Sequence, residues 1–236
     1  MAVVVLAAMR SELRPFVRAT GIRRTGADAD ADPAAPTYAG RVGGHEVVAT
    51  TMGVGMAGAA RTAERVLESH DVDLLVVVGI AGGIDATLPI GHVLVPEVVV
   101  DGGTGGEYHP PTWDPVAVHG RLVTYDSFQT EPEVLADLQR KGFAAIDMET
   151  AAVAAVCERR SCPYAVIRAI SDNATDGSVD AAVAAMARAD GTPDLRAALR
   201  YVVRRPWRIP HLVRLGTDAH RAARAAADAA VAALSQ

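Results

Sequence analysis

Acidic residues that could do chemistry occur in this sequence just after runs of aliphatic residues. Glu12, Glu149 and Asp172 each follow such a run closely. A further run leads into Gly79-Ile80-Ala81-Gly82-Gly83, called here the glycine segment. Ligands of open α/β sheets bind beyond the carboxyl ends of the strands. If the aliphatic runs are strands, these four features are expected at one edge of a sheet.

Each feature also has a plain structural interpretation. Asp147 can cap a helix that begins near Glu149, and the helix dipole favours an acid in that first turn. Asp172 can begin a turn with Asn173, and Glu12 can be an ordinary acid in a first helical turn. The glycine segment can be a tight strand exit, since it matches neither GxGxxG nor a P-loop. The residues taken singly leave these alternatives open.

The elements that must position these residues follow from hydrophobic patterning. Helices are predicted between the strands, the first capped by Ser11, and helix is predicted beyond Asp176, with breaks at Gly191-Thr192-Pro193, Pro206 and Pro210. Strands are predicted at residues 2–8, 45–51, 73–79, 92–100, 121–125, 143–147 and 164–170, helices at about 12–19, 57–69, 131–140 and 149–159, a turn at the glycine segment, and surface or irregular loops at 24–37 and 101–120.

Strands that alternate with helices predict an α/β fold, with a central twisted mixed β-sheet flanked by helices. With 236 residues and neither a repeat nor a linker, the chain is expected to form one domain over 1–236, with an Arg-rich helical C-terminal segment from about 184. No apolar run is as long as the roughly 20 residues of a membrane span, so no stable membrane insertion is expected.

Composition narrows the classes of function. The net charge of −5 argues against nucleic acid as a partner. The two cysteines form no CxxC pair, and the start of the chain resembles a strand rather than a signal peptide, so a reduced cytoplasmic protein is expected. The histidines show no metal-binding spacing, so no metal site is expected, and nothing else in the sequence implies a cofactor.

Six short segments, taken together and in order, resemble the purine nucleoside phosphorylase superfamily. The similarity is greatest to its 5′-methylthioadenosine/S-adenosylhomocysteine nucleosidase branch, and it covers residues 3 to about 176. The segments are Ala7-Ala8-Met9-Arg10-Ser11-Glu12, Gly53-Val54-Gly55-Met56-Ala57, the glycine segment, Asp126-Ser127-Phe128, Asp147-Met148-Glu149-Thr150-Ala151 and Arg168-Ala169-Ile170-Ser171-Asp172.

The resemblance implies a role for each matching position. Asp172 would be the acid that protonates N7 of a purine, and Glu12 would hold and deprotonate the attacking water. Glu149 would accept hydrogen bonds from the ribose hydroxyls. The remaining implied substrate contacts are Met148 under the sugar, Phe128 stacked on the base, the Gln129 backbone at the base edge, and Met9, Ile80, Ala81, Gly82, Ser171 and Arg168 as lining or bracing residues.

These residue types suit cleavage of an N-glycosidic bond. The reaction leaves an oxocarbenium-like sugar and an anionic base, so a proton delivered to the base improves the leaving group, typically by about 10²–10⁴-fold. A carboxylate near the sugar stabilises developing positive charge, and another activates water on the opposite face. The expected activity is hydrolysis of a 5′-substituted adenosine to adenine and a ribose derivative.

The sequence favours water over phosphate as the nucleophile. The resemblance implies that a phosphorylase would carry an Arg just before the glycine segment, but this chain has Val77-Val78-Gly79 there. The Gly-Asp-Pro motif of the phosphorylase members is also absent from this chain. Arg10 and Arg14 leave phosphorolysis as an alternative. Ile80 and Thr150 depart from the nucleosidase pattern and leave a non-catalytic nucleoside-binding protein as another.

The C-terminal part, from about 184, is similar to a hopanoid-associated phosphorylase-like branch. That similarity implies an alternative substrate, an adenosyl-hopane lipid precursor that would release adenine. The apolar and basic residues there suit either peripheral contact with an anionic membrane or a solvated Arg-rich helix packed on the domain. The wider resemblance implies a homo-oligomer, with a dimer favoured.

Overall fold

A computed structural model describes residues 1–25, 36–111, 120–175 and 204–236. Along the chain, helices separate single strands or short groups of strands, as the patterning predicts. The strands are β1 (Ala2–Ala7), β2 (Arg23–Arg24), β3 (Tyr38–Val42), β4 (His45–Thr51), β5 (Leu74–Gly83), β6 (Val93–Leu94), β7 (Val98–Asp101), β8 (Glu107–Tyr108), β9 (Arg121–Thr124), β10 (Phe143–Asp147) and β11 (Tyr164–Asn173). The helices are α1 (Arg10–Thr20), α2 (Met56–Ser69), α3 (Pro132–Arg140), α4 (Thr150–Arg159) and α5 (Ile209–Leu234), with a 3₁₀ turn at Pro206–Arg208.

The strands of the described residues form one mixed sheet, which confirms the predicted fold class. Its order is β2-β3-β4-β1-β5-β10-β9-β7-β8, and β11 pairs with both β5 and β6. Strands β4, β1, β5 and β11 are parallel, whereas β10 meets the end of β5 antiparallel. The carboxyl ends of the parallel strands therefore lie at one edge of the sheet.

Helices cover both faces of this sheet, which explains the unbroken aliphatic runs. In β1, Val3 and Val5 pack on the side of α1 and α5, while Val4 and Leu6 pack on the side of α2 and α4. Burial of alternate residues on opposite faces is the period of a strand. Neither face of β1 can therefore be polar.

The glycine segment was predicted as a turn, and this prediction is wrong. Its five residues continue β5 to Gly83, and they pair with β11 from Arg168 to Asn173. Close packing rather than a turn explains Gly79, because a Cβ there would overlap Glu12 Oε2 and lie 2.5 Å from Arg168 Nη1.

Other boundaries differ more modestly from the predictions. Ser11 does not cap α1, which begins at Arg10 after Met9 and has no side-chain cap. The predicted strand at 92–100 is divided into β6 and β7, and β8 interrupts the predicted loop at 101–120. Pro210 lies in the first turn of α5 rather than breaking it, as proline can at a helix start.

Several predictions fall wholly or partly outside the described residues. These are most of the loop 24–37, part of the loop 101–120, the break at Gly191-Thr192-Pro193 and much of the C-terminal segment from about 184. In the C-terminal part that is described, α5 is the predicted helix, and it packs a stripe of buried alanines against α1, β5 and β11. No helix in the described part of the chain is both long enough and apolar enough to cross a bilayer.

Candidate active site

The candidate site lies where the sheet divides along β5. Strand β1 pairs with β5 only from Leu74 to Val77, and β10 pairs with the same strand only at Gly82 and Gly83. Between these two ladders the strands β1 and β10 diverge, and Ile80 and Ala81 of β5 line the space between them. Such a switch point is where α/β sheets bind ligands.

Glu12 reaches this space from the first turn of α1. Its side chain is only 3% exposed, and its Oε2 accepts a hydrogen bond from the Ile80 N–H at 3.4 Å. Arg168 Nη1 lies 3.8 Å from the same oxygen, and it has no hydrogen-bond partner within the described residues. Glu12 is thus held at the base of the site by one amide and one cation.

Arg168 of β11 is the centre of a buried polar network. Its guanidinium is completely buried, and Nη2 donates to Asp147 Oδ2 at 2.5 Å and to Thr150 Oγ1 at 2.9 Å. Thr150 Oγ1 in turn donates to Asp147. Thr124 Oγ1 donates to the other Asp147 oxygen at 2.5 Å. This network ties the middle of β11 to the ends of β9 and β10 and to the start of α4.

Glu149 is held from two sides. Its Oε1 accepts the Gly55 N–H at 3.0 Å, and its Oε2 accepts Arg168 Nη2 at 3.4 Å. Gly55 has a φ of +98°, which favours glycine, so the loop before α2 can aim its amide at the acid. Asp126 Oδ1 accepts the next amide, of Met56, at 2.7 Å and anchors the same loop. Each Glu149 oxygen keeps lone-pair capacity for a ligand.

A β-bulge sets the position of Asp172. The register of β11 against β5 shifts between Ile170 and Asp172, so Ser171 is the extra residue. Bulges re-aim side chains and are frequent beside active sites. Here Ser171 and Asp172 both line the cavity, and Ser171 Oγ lies within hydrogen-bond distance of Asp172 Oδ1, at 2.5 Å, and of the Ala81 carbonyl, at 3.2 Å.

These residues surround one cavity of about 190 Å³. Phe128 forms part of its rim and is 44% exposed, whereas Met9 and Met148 are half-buried. The Gln129 side chain folds back on Ser127, with its Nε2 donating to the Ser127 carbonyl at 3.1 Å. Of the predicted site residues, Glu12, Glu149, Asp172, Met148, Phe128, Gln129, Met9, Ile80, Ala81, Gly82 and Ser171 all line this cavity, and Arg168 lies behind it.

Burial shifts the protonation of the two glutamates. Burial raises the pKa of Glu12 to about 8, against the opposing effect of Arg168. Burial also raises the pKa of Glu149 above its ordinary value; Arg168 opposes this shift and the neighbouring Asp147 adds to it. Burial is therefore the main reason that these carboxyls retain protons, and the single nearby guanidinium, that of Arg168, offsets only part of it.

Comparison with known proteins identifies the family. The family model described as the phosphorylase superfamily matches residues 2–115 and 112–204. The chain belongs to the phosphorylase superfamily.

Relatives of similar sequence are named as nucleosidases. The 5′-methylthioadenosine/S-adenosylhomocysteine nucleosidases of Shewanella sp. (strain W3-18-1) and Bacillus thuringiensis subsp. konkukian are 30% identical over 171 and 164 residues. These alignments cover 59% and 56% of this chain and 74% and 71% of the relatives.

Solved structures share the fold at lower identity. A Helicobacter pylori nucleosidase of the same name superposes with a TM-score of 0.74 at 18% identity, covering 99% of this chain and 97% of that one. Futalosine hydrolase of Helicobacter pylori superposes with a TM-score of 0.73 at 18% identity, covering 97% and 94%.

This phosphorylase-superfamily chain lines its cavity with acids and not with bases. Among the described residues, no Lys, Arg or His lines the cavity. Arg14 lies instead in a groove between α1 and α5, and Arg10 is exposed at the first position of α1. The described residues also include no cluster of His, Cys, Asp or Glu that could hold a metal ion.

The structure adds residues to the candidate site to which the sequence assigned no contact there. Val54 and Ser127 line the cavity, and both belong to segments that carry the family resemblance. Thr124 and Thr150 hold Asp147 from behind the cavity wall. Nothing in the sequence marks Thr124, because its partner lies 23 residues away.

Proposed function

We propose that this chain hydrolyses the N-glycosidic bond of a 5′-substituted adenosine and releases adenine. The observation that carries the proposal is the convergence of Glu12, Glu149 and Asp172 on one cavity. The names of the relatives support this substrate class, since both concern 5′-thio derivatives of adenosine.

The three acids have distinct surroundings that suit distinct roles. Asp172, on the bulge beside Ser171, gives its proton to N7 of the purine. Glu149, whose oxygens are already oriented by Gly55 and Arg168, accepts the ribose hydroxyls and stabilises the cationic sugar. Glu12, the most buried of the three acids, takes a proton from the attacking water. Phe128, at the rim, stacks on the base.

Charge favours water as the nucleophile. A phosphate site normally offers arginine forks and backbone N–H groups. In the described part of this cavity the only nearby guanidinium, that of Arg168, lies behind the wall and is engaged by Asp147 and Glu149. A phosphate dianion would be repelled wherever Glu12 and Glu149 are ionised, and the described lining offers it no Lys, Arg or His, whereas a neutral water needs no such cation.

The cellular setting and assembly are part of the proposal. The two cysteines are both unpaired thiols, which supports a reducing, cytoplasmic compartment. The expected homodimer stays a prediction, and sedimentation equilibrium tests it.

Adenine release from methylthioadenosine, followed with and without phosphate, tests the proposal. We expect release without phosphate, and Asp172→Asn is expected to lower kcat by about 10²–10⁴-fold because it cannot supply the proton. Asp71→Asn, the same change at an exposed residue, is the matched control. A strict requirement for phosphate would replace hydrolysis by phosphorolysis.

A second substrate separates acid catalysis from simple damage to the site. A riboside of 4-nitrophenol has a leaving group that departs without protonation, so Asp172→Asn should retain most activity on it. If the variant loses activity equally on both substrates, Asp172 does not act as the acid.

A further inference from the structure

Residues 204–214, called here the basic tip, combine exposed apolar side chains with positive charge. The segment contains four arginines and no acidic residue, although the whole chain has a net charge of −5. Trp207 is 72% exposed, Val213 is 63% exposed and Ile209 is 42% exposed. They account for three of the five large hydrophobic residues that are exposed in the described chain.

The basic tip projects from the edge of the sheet that carries the cavity. The end of α5 lies at the opposite edge, since the Leu234 carbonyl is beside Gly43, just before β4 begins. The Arg221 side chain lies beside Gly91, whose N–H donates to the carbonyl of Ile170 near the end of β11. At 1.5 Å per helical residue, Ile209 stands about 18 Å beyond the level of Arg221.

Full burial ends where this projection begins. The first buried residue of α5 is Ala222, and none of the thirteen helical residues before it is buried. Trp207 and Ile209 on this extension do not pack on the core of the described residues. Their exposure to water is unfavourable, because apolar surface is more stable out of water. A surface that buries them while accepting arginines would stabilise the arrangement.

We propose that the basic tip docks on the surface of an anionic lipid bilayer. Trp side chains are favoured at the membrane–water interface, and basic residues are attracted to anionic headgroups. The negative remainder of the chain is repelled by such a surface, so the charge distribution orients the molecule with its tip, and hence its cavity edge, toward the membrane. With no membrane-crossing helix in the described chain, the contact is peripheral.

Sedimentation with lipid vesicles tests this docking. The full chain should sediment with vesicles of phosphatidylglycerol and phosphatidylcholine, and much less with phosphatidylcholine alone. Arg204→Gln combined with Arg214→Gln should weaken binding about 25-fold, at about fivefold for each arginine at the surface. Arg61→Gln with Arg65→Gln changes the net charge equally on exposed positions of α2 and should leave binding unchanged.

Tryptophan fluorescence gives a second readout. The chain has two tryptophans, so Trp113→Phe leaves Trp207 as the sole reporter. Its emission should shift to the blue when anionic vesicles are added. Equal binding to both vesicle types, equal loss in the α2 control, or preferential binding of RNA over anionic vesicles would overturn the proposal. Hydrolysis of soluble methylthioadenosine without vesicles should be unchanged in the Arg204/Arg214 variant, so the docking and the catalytic proposals fail separately.

Discussion

Replacing Glu12 by Gln should stabilise the protein at high pH and inactivate it at the same time. Glu12 is buried beside Ile80 and Arg168, and burial raises its pKa from 4.5 to about 8. In the unfolded chain the carboxyl titrates near 4.5, so the folded state retains a proton that the unfolded state has lost. This difference links folding to pH.

The sign and size of this pH dependence follow from the pKa of Glu12 in the unfolded and in the folded chain. The contribution of the neutral Glu12 to stability is complete below pH 4.5, declines as the pH rises, and is lost near pH 8. A difference between 4.5 and about 8 corresponds to a loss of about 5 kcal/mol at 1.36 kcal/mol for each pH unit. Gln has the same shape and does not titrate, so the variant should escape this part of the loss.

Urea unfolding of wild type and Glu12→Gln from below pH 4.5 to above pH 8 measures the effect. The free energy of unfolding of the variant should exceed that of wild type increasingly as the pH rises, while Glu68→Gln, at an exposed position of α2, should follow wild type. If the two free-energy curves stay parallel across this range, Glu12 does not titrate in the folded state as argued.

Activity should change in the opposite direction. A base must be ionised to take a proton from water, so kcat/KM of wild type should rise about tenfold for each pH unit below the Glu12 pKa and level off above it. Glu12→Gln should be inactive at every pH. Wild-type activity that is flat through this range would refute the base role even if the stability effect is found.

Two further changes test the packing of the network. Gly79→Ala places a methyl group against Glu12 Oε2 and Arg168 Nη1, so it should lower the free energy of unfolding in urea by about 1–3 kcal/mol and should also lower kcat. The control Gly44→Ala places its methyl group in open space and should change neither quantity. Thr150→Ala removes one buried hydrogen-bond partner from each of Arg168 and Asp147 and should cost about 1–3 kcal/mol. Thr150→Ser should restore most of the loss, and an unchanged free energy in Thr150→Ala would show that the network does not depend on this hydroxyl.

The fold was largely predictable because local patterns agree with tertiary packing. The strand at 45–51 and the strand at 143–147 are found with the predicted bounds, since aliphatic runs bounded by polar residues leave little choice. The glycine segment misled because glycine is typical of turns. Its glycines instead make room for side chains from α1 and β11, and such crowding depends on neighbours that a single sequence does not show.

The convergence of the acids was predictable for a similar reason. Strand ends at one edge of a sheet must lie near each other, so Glu12, Glu149 and Asp172 could be placed together without coordinates. The differences in their surroundings could not be predicted, because the hydrogen-bond partners of each acid come from other helices and strands. The amide that orients Glu149 comes from Gly55, 94 residues earlier.

Thr150 shows most clearly what the sequence alone cannot supply. As a replacement for a small residue it suggested a weakened site, yet it does not line the cavity and instead bonds Arg168 and Asp147 behind it. A buried arginine that faces Glu12, Asp147 and Glu149 needs its N–H groups satisfied, and the hydroxyl satisfies two of them. Burial raises the pKa of both glutamates and Arg168 opposes that shift, so the network that braces the wall limits the retention of protons that burial causes.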